Sequence, residues 1–121
     1  MITIYIPDEF TTFNNYILAE RTNLHHGASI KKVETRRVMY WARNIKPIEN
    51  YPVTIYFQWV RKNTRTDPDN IAQAKKYVLD GLVAAGVLKD DAWKYISGFH
   101  DTFAIDQKSQ GVIVTIDEAK K

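Results

Sequence analysis

Val53-Thr54-Ile55-Tyr56-Phe57-Gln58-Trp59-Val60 runs into Arg61-Lys62-Asn63-Thr64-Arg65-Thr66 and then Asp67-Pro68-Asp69-Asn70. The first eight residues are β-branched or aromatic except for Gln58. Val53, Ile55, Phe57 and Trp59 fall on one side of a period-2 pattern, which predicts a strand with one buried face. A basic, polar loop follows. Asp67-Pro68 then reads as a helix entry: an aspartate can accept hydrogen bonds from the first free amides, and proline at the first helical position gives up none. From Asp69 to Ala85 the apolar residues Ile71, Ala74, Val78, Leu82 and Ala85 form one stripe, with Gln73, Lys76 and Asp80 on another side. Gly86 supplies a left-handed stop. Gly81, interior to the helix, costs about 1 kcal/mol against alanine, so close packing against a neighbouring element is expected there.

Outward from this strand–helix unit, Ile2, Ile4 and Ile6 alternate with Thr3 and Tyr5 as a strand ended by Pro7. Asp8 and Glu9, or Thr11 and Thr12, cap a helix carrying Phe13, Tyr16, Ile17 and Glu20. Asn23, His25, His26 and Gly27 suggest a turn, with the histidines exposed rather than ligating. A second helix is predicted over 28–44, with Ile30, Val33, Arg37, Tyr40 and Trp41 near one side. Downstream, a strand is expected over 95–104, with His100 in it as a surface or packing residue. A turn at 107–111 leads to a last strand marked by Val112, Val114 and Ile116, and these two strands are expected to form a hairpin before a charged tail. Trp41, Trp59 and Trp93 are expected in the core or at a dimer interface. The coarse order is β-α-α-β-α-β-β, an α/β chain of the α+β, mixed-sheet kind, with one domain over 1–121.

Composition supports a packed core: 45% of residues are hydrophobic and 12% aromatic. The absence of cysteine excludes disulfides, thiolate zinc sites and a cysteine nucleophile, and suits a reducing cytoplasm. No apolar run reaches the length of a membrane span. Met1 to Ile6 lacks a basic leading segment and reads as a strand, not a leader. The net charge is +3, yet between Arg21 and Lys46 seven basic side chains face one acid, Glu34. The rest of the chain is therefore net acidic. Such segregation fits a phosphate-binding face, or simply a solvated helix surface.

The acids cluster at both ends of the central helix: Asp67 and Asp69 before it, Asp90 and Asp91 after it. Like charges brought together call for a cation, and hard oxygen ligands suit Mg²⁺. A metal site with a nearby ammonium is the equipment for phosphodiester hydrolysis. Each group also has a plain structural reading. Asp67 can cap, Asp69 can favour the helix dipole, Lys76 and Asp80 can be an i,i+4 ion pair, and Asp90-Asp91 can be a polar turn. A helix of about 17 residues is roughly 25 Å long, so spacing alone does not bring Asp91 back to Asp69.

Asp67-Pro68-Asp69-Asn70, Lys76 four residues before Asp80, then Leu82, Gly86 and Asp90-Asp91 resemble the RusA family of Holliday-junction resolvases. Asn15-Tyr16-Ile17 through Ala19-Glu20-Arg21, and Lys31-Lys32 with Glu34-Thr35, are similar to its phage-type members. The resemblance implies a homodimeric, Mg²⁺-dependent endodeoxyribonuclease, with Mn²⁺ as a substitute metal. It would nick four-way DNA junctions in pairs, during recombination and repair, in the cytoplasm of a bacterial or phage-infected cell. It casts Asp67, Asp69 and Asp91 as metal-binding carboxylates with Asp90 beside them, and Lys76 as the catalytic lysine. The interval from Asp69 to that lysine is three residues longer than the family pattern, which leaves Lys75 and Gln73 as competitors. Lys31, Lys32, Arg36 and Arg65 are expected on the DNA backbone. The alternatives are a junction-binding module without cleavage, or a less selective nuclease of branched or flapped DNA.

Overall fold

A computed structural model describes residues 1–120, apart from the side chain of Leu24. Lys121, the end of the expected charged tail, lies outside the described residues. The chain forms β1 (Ile2–Pro7), α1 (Phe13–Thr22), α2 (Leu24–Ala42), β2 (Val53–Arg61), α3 (Pro68–Ala72), α4 (Lys75–Ala84), β3 (Ile96–Ile105) and β4 (Gly111–Asp117). The four strands make one mixed sheet in the order β1-β4-β2-β3. This is the expected α+β class. No helix among the described residues is long and apolar enough to cross a membrane.

Strand alternation sets which face of the sheet is buried. Ile4 and Ile6 of β1, Val53, Ile55, Phe57 and Trp59 of β2, and Val112, Val114 and Ile116 of β4 join Val38 and Ala42 of α2 and Val78 and Leu82 of α4 in one core. The opposite face leaves Thr3, Tyr5, Tyr56, Gln58 and His100 exposed. Two glycines are needed where they stand. A side chain at Gly81 would run into Val38 of α2, so the close packing expected there is real, and one at Gly111 (φ 141°) would meet the Ile6 carbonyl.

The expected hairpin between the last two strands is not formed. β4 inserts between β1 and β2, antiparallel to both, and β3 runs parallel to β2 at the sheet edge. Burial explains the choice: Val112, Val114 and Ile116 are fully buried and belong in the interior of the sheet, whereas Phe99, Phe103 and Ile105 of β3 remain exposed. Residues 25–27 are helical, not a turn. Asn23 caps α2 with its side chain accepting from the His25 amide at 2.8 Å, so α2 starts immediately after α1 ends. The face of α2 also differs from expectation. Val33, Tyr40 and Trp41 are exposed, while Glu34 is buried. Glu34 accepts from the Thr11 amide at 2.9 Å and pairs with Arg37 at 3.2 Å. Arg37 also lies over the Phe10 ring, 3.9 Å from its centroid, and donates to the Asp8 carbonyl at 2.8 Å. This cation is part of the scaffold, which removes it from the basic excess of the segment. Of the three tryptophans, Trp59 is in the core, but Trp41 and Trp93 are exposed.

Candidate functional site

The helix read as continuous over 69–85 is two helices, α3 and α4, separated at Gln73 and Ala74. Asp67 occupies the N-cap position of α3, but its carboxylate makes no capping hydrogen bond, and it is exposed. Asp69 accepts from the Asn70 amide at 2.9 Å. The Asn70 side chain in turn accepts from the Asn14 amide at 2.9 Å, which ties α3 to the start of α1.

Asp91 does come back along α4. Gly86 (φ 78°) ends the helix as expected, and the Val87 and Leu88 amides both donate to the Leu82 carbonyl. Val87 and Leu88 are buried, so the chain is seated against the helix it has just left. The Tyr51 hydroxyl accepts from the Lys89 amide at 2.9 Å, and Asp90 accepts from the Asp91 amide at 2.8 Å. Asp90 therefore shapes the turn, and Asp91 is delivered to the first turn of α4. There the Lys76 ammonium reaches Asp80 at 3.0 Å and Asp91 at 3.3 Å.

The two adjacent lysines have different environments. Lys75 donates to Asp101 at 2.7 Å, and Asp101 also accepts from the Trp59 indole at 2.8 Å. The Lys75 ammonium lies 4.9 Å from the Phe99 ring centroid and 5.4 Å from that of Phe57. Lys75 is held on the sheet. Lys76 has 63% of its side chain exposed. Its hydrogen bond to Asp80, reinforced by Asp91, raises its pKa above the ordinary lysine value against a partial opposing effect of burial, which keeps it a cation. Gln73 ends α3 as its C-cap. The i,i+4 spacing to Asp80 thus picks out the same lysine that Asp91 meets.

Lys76 also joins separate surface depressions. One, of about 410 Å³, is lined by Asp69, Gln73, Lys75 and Lys76. Another, of about 200 Å³, runs from Lys76 and Tyr77 past Tyr16 to Lys31, whose ammonium lies 5.4 Å from the Tyr16 ring centroid. Lys32 and Arg36 are exposed on α2, and Arg65 is exposed in the loop before Asp67; none of these three lines that cleft. Asp101 went unmarked in the sequence, although an acid between Phe99 and Phe103 in a period-2 pattern was a signal that it pairs with something.

Among the described residues, no group of three His, Asp or Glu side chains gathers closely enough to hold a metal ion. The donors still suit Mg²⁺, which is usually held by one or two carboxylates, with waters and substrate phosphate oxygens completing its shell. The Asp67 carboxylate, not used in capping, and the exposed Asp69 supply such oxygens. No protein-family model matches the chain, and no curated protein shows significant similarity to it.

Proposed function

We propose that the protein is a Mg²⁺-dependent endonuclease of branched DNA, acting on four-way junctions as a homodimer in the manner of the RusA family. The observation that supports this reading is the position of Lys76, which bonds Asp91 on one side and lines both a depression with Asp69 and a cleft that leads to Lys31.

Asp67 and Asp69 are the residues that would hold Mg²⁺, or Mn²⁺ in its place, with Asp91 and Asp90 joining them through water, since among the described residues no three acids gather closely enough for direct ligation. The bound metal would supply Lewis-acid activation of water and charge neutralisation at phosphorus. Lys76 stays protonated and donates hydrogen bonds to a phosphoryl oxygen as negative charge builds on it. Asp80 restrains the ammonium, so it need not be ordered when the phosphate arrives. Lys31 positions the backbone, with Lys32, Arg36 and Arg65 adding sequence-independent attraction. Hydrolysis forms a bond from water oxygen to phosphorus and breaks one ester bond. The water proton leaves to solvent, and the departing alkoxide gains one. Two copies related by a two-fold axis would match the near two-fold symmetry of a four-way junction.

The test is a labelled four-way junction incubated with the protein and Mg²⁺. Wild type is expected to nick it in symmetric pairs and Asp69→Asn to fail. Equal rates for the two would overturn the enzymatic reading, and binding that survives EDTA without any cleavage would indicate a binding module instead. Competition among linear, forked and four-way DNA separates a junction enzyme from a general branch nuclease.

A further inference from the structure

Beside Asp91 lies a groove of about 250 Å³ lined by Asp91, Trp93, Ile96, Ser97, Gly98 and Phe99. Trp93 is 97% exposed. An indole is costly to leave in water, and at that exposure the fold gains almost nothing from it. Phe99, opposite, is 40% exposed and is supported from behind by Phe57, whose ring centroid is 6.0 Å away. The Ser97 hydroxyl is used within the sheet, donating to the Val53 carbonyl at 2.9 Å and bonding Thr54 at 2.8 Å. It does not make the groove polar.

Gly98 is the informative residue. Glycine weakens a strand, and in strands it often marks a bulge or the close approach of a ligand. The β2–β3 register does shift between Val53 and Thr54, but among the described residues the glycines with positive φ are Gly86 and Gly111, so this irregularity does not demand a glycine. A side chain built at Gly98 would meet nothing within 4 Å. Neither conformation nor packing asks for glycine here. What its missing side chain does is keep the groove open.

We propose that this groove receives one unstacked nucleobase of the DNA, stacked on Trp93 and Phe99 over Gly98, next to the phosphate to be cut. The inference rests on the nuclease reading and narrows its substrate to DNA with a base free to leave the helix stack, as at a branch point. The occupant is taken as a nucleotide because Asp91, which lines the groove, bonds the Lys76 proposed to act at the phosphate. An apolar slot takes the flat ring, while the Lys76 ammonium at the acidic rim and the exposed Lys94, next in the chain after Trp93, suit the phosphates attached to it.

The experiment uses the full chain with a four-way junction carrying 2-aminopurine at the branch point. Ca²⁺ replaces Mg²⁺ for binding, and Mg²⁺ is used in a parallel cleavage assay. Wild type is expected to quench the 2-aminopurine. Trp93→Ala and Gly98→Leu are each expected to weaken junction binding on the order of tenfold and to lose the quench, with unchanged melting temperatures. Trp41→Ala, which removes another exposed indole, is expected to behave as wild type. If wild type cuts the junction but both groove variants bind and quench normally, the base subsite is wrong and the nuclease reading stands. If wild type fails to cut but quenching still depends on Trp93 and Gly98, the nuclease reading fails and the subsite stands. A groove variant that changes the sedimentation of the protein and not its DNA binding would mean that a second copy of the chain covers this surface, which also overturns the proposal.

Discussion

Lys76 and Asp91, 15 positions apart in the chain, meet at 3.3 Å across the first turn of α4. Their contact depends on the buried Val87 and Leu88, which fold the chain back after Gly86. The turn after α4 is thereby tied back to the start of that helix.

Lys76→Met is expected to lower junction cleavage by about a hundredfold or more, the scale of losing one donor to a developing oxyanion. Stability should change little, because the Lys76 side chain is largely exposed. Lys75→Met should do the reverse. It leaves the Asp101 carboxylate half-buried with Trp59 as its remaining partner and should cost about 1–3 kcal/mol. Urea unfolding and single-turnover cleavage, measured on both variants, separate the two lysines. Similar losses of activity with no loss of stability would refute the division of roles.

Asp90→Ala and Asp91→Ala should also part ways. Asp90 accepts from the Asp91 amide, so its loss loosens the turn by about 1 kcal/mol and leaves the carboxylates of Asp67, Asp69 and Asp91 in place. Asp91→Ala should abolish cleavage and weaken Mn²⁺ binding in calorimetric titration. Unchanged Mn²⁺ affinity in Asp91→Ala would remove that residue from the metal set.

Alkaline pH should destabilise the protein through Tyr77. Burial, with Glu34 and Tyr16 adding to it, pushes its pKa up to about 12 from 10.0. A folded-state pKa above the unfolded one contributes stability that is complete below pH 10 and is lost as pH rises toward 12. Two units correspond to about 2–3 kcal/mol. Tyr77→Phe, which keeps the ring against Phe10, should flatten the loss of stability between pH 10 and 12 measured by urea unfolding. An identical pH profile would exclude Tyr77 as its source.

Gly81→Val should destabilise by about 1–3 kcal/mol or more through overpacking against Val38. Gly98→Val, on the open edge strand, should be close to neutral in the same thermal melt.

Local patterns carried much of this fold. The i,i+4 relation of Lys76 and Asp80, the stop at Gly86 and the close contact at Gly81 were all legible, because each depends on residues within a few turns. What escaped depends on partners far along the chain. Glu34 was read only as the one acid of a basic segment, yet it is buried and paired with Arg37, so the helix face was assigned to Ile30, Val33, Arg37, Tyr40 and Trp41 without it. β3 and β4 read as a hairpin because they are neighbours in sequence, whereas burial draws β4 into the middle of the sheet. Whether Asp91 comes back to Asp69 was a question of distance that spacing left open, and the contact Asp91 makes is with Lys76; Asp101 was passed over because its partners, Lys75 and Trp59, lie on other elements.

The central place of β4 also bears on how the molecule comes into being. β1 and β2 do not pair with each other; each pairs with β4. During synthesis, an emerging chain that has not reached Gly111 holds β1 without a strand partner and β2 paired only with β3, and pairing across so long a stretch of sequence is slow. The acids and lysines around α4 therefore gain a stable platform only when residues 111–117 arrive and the last strand closes the sheet.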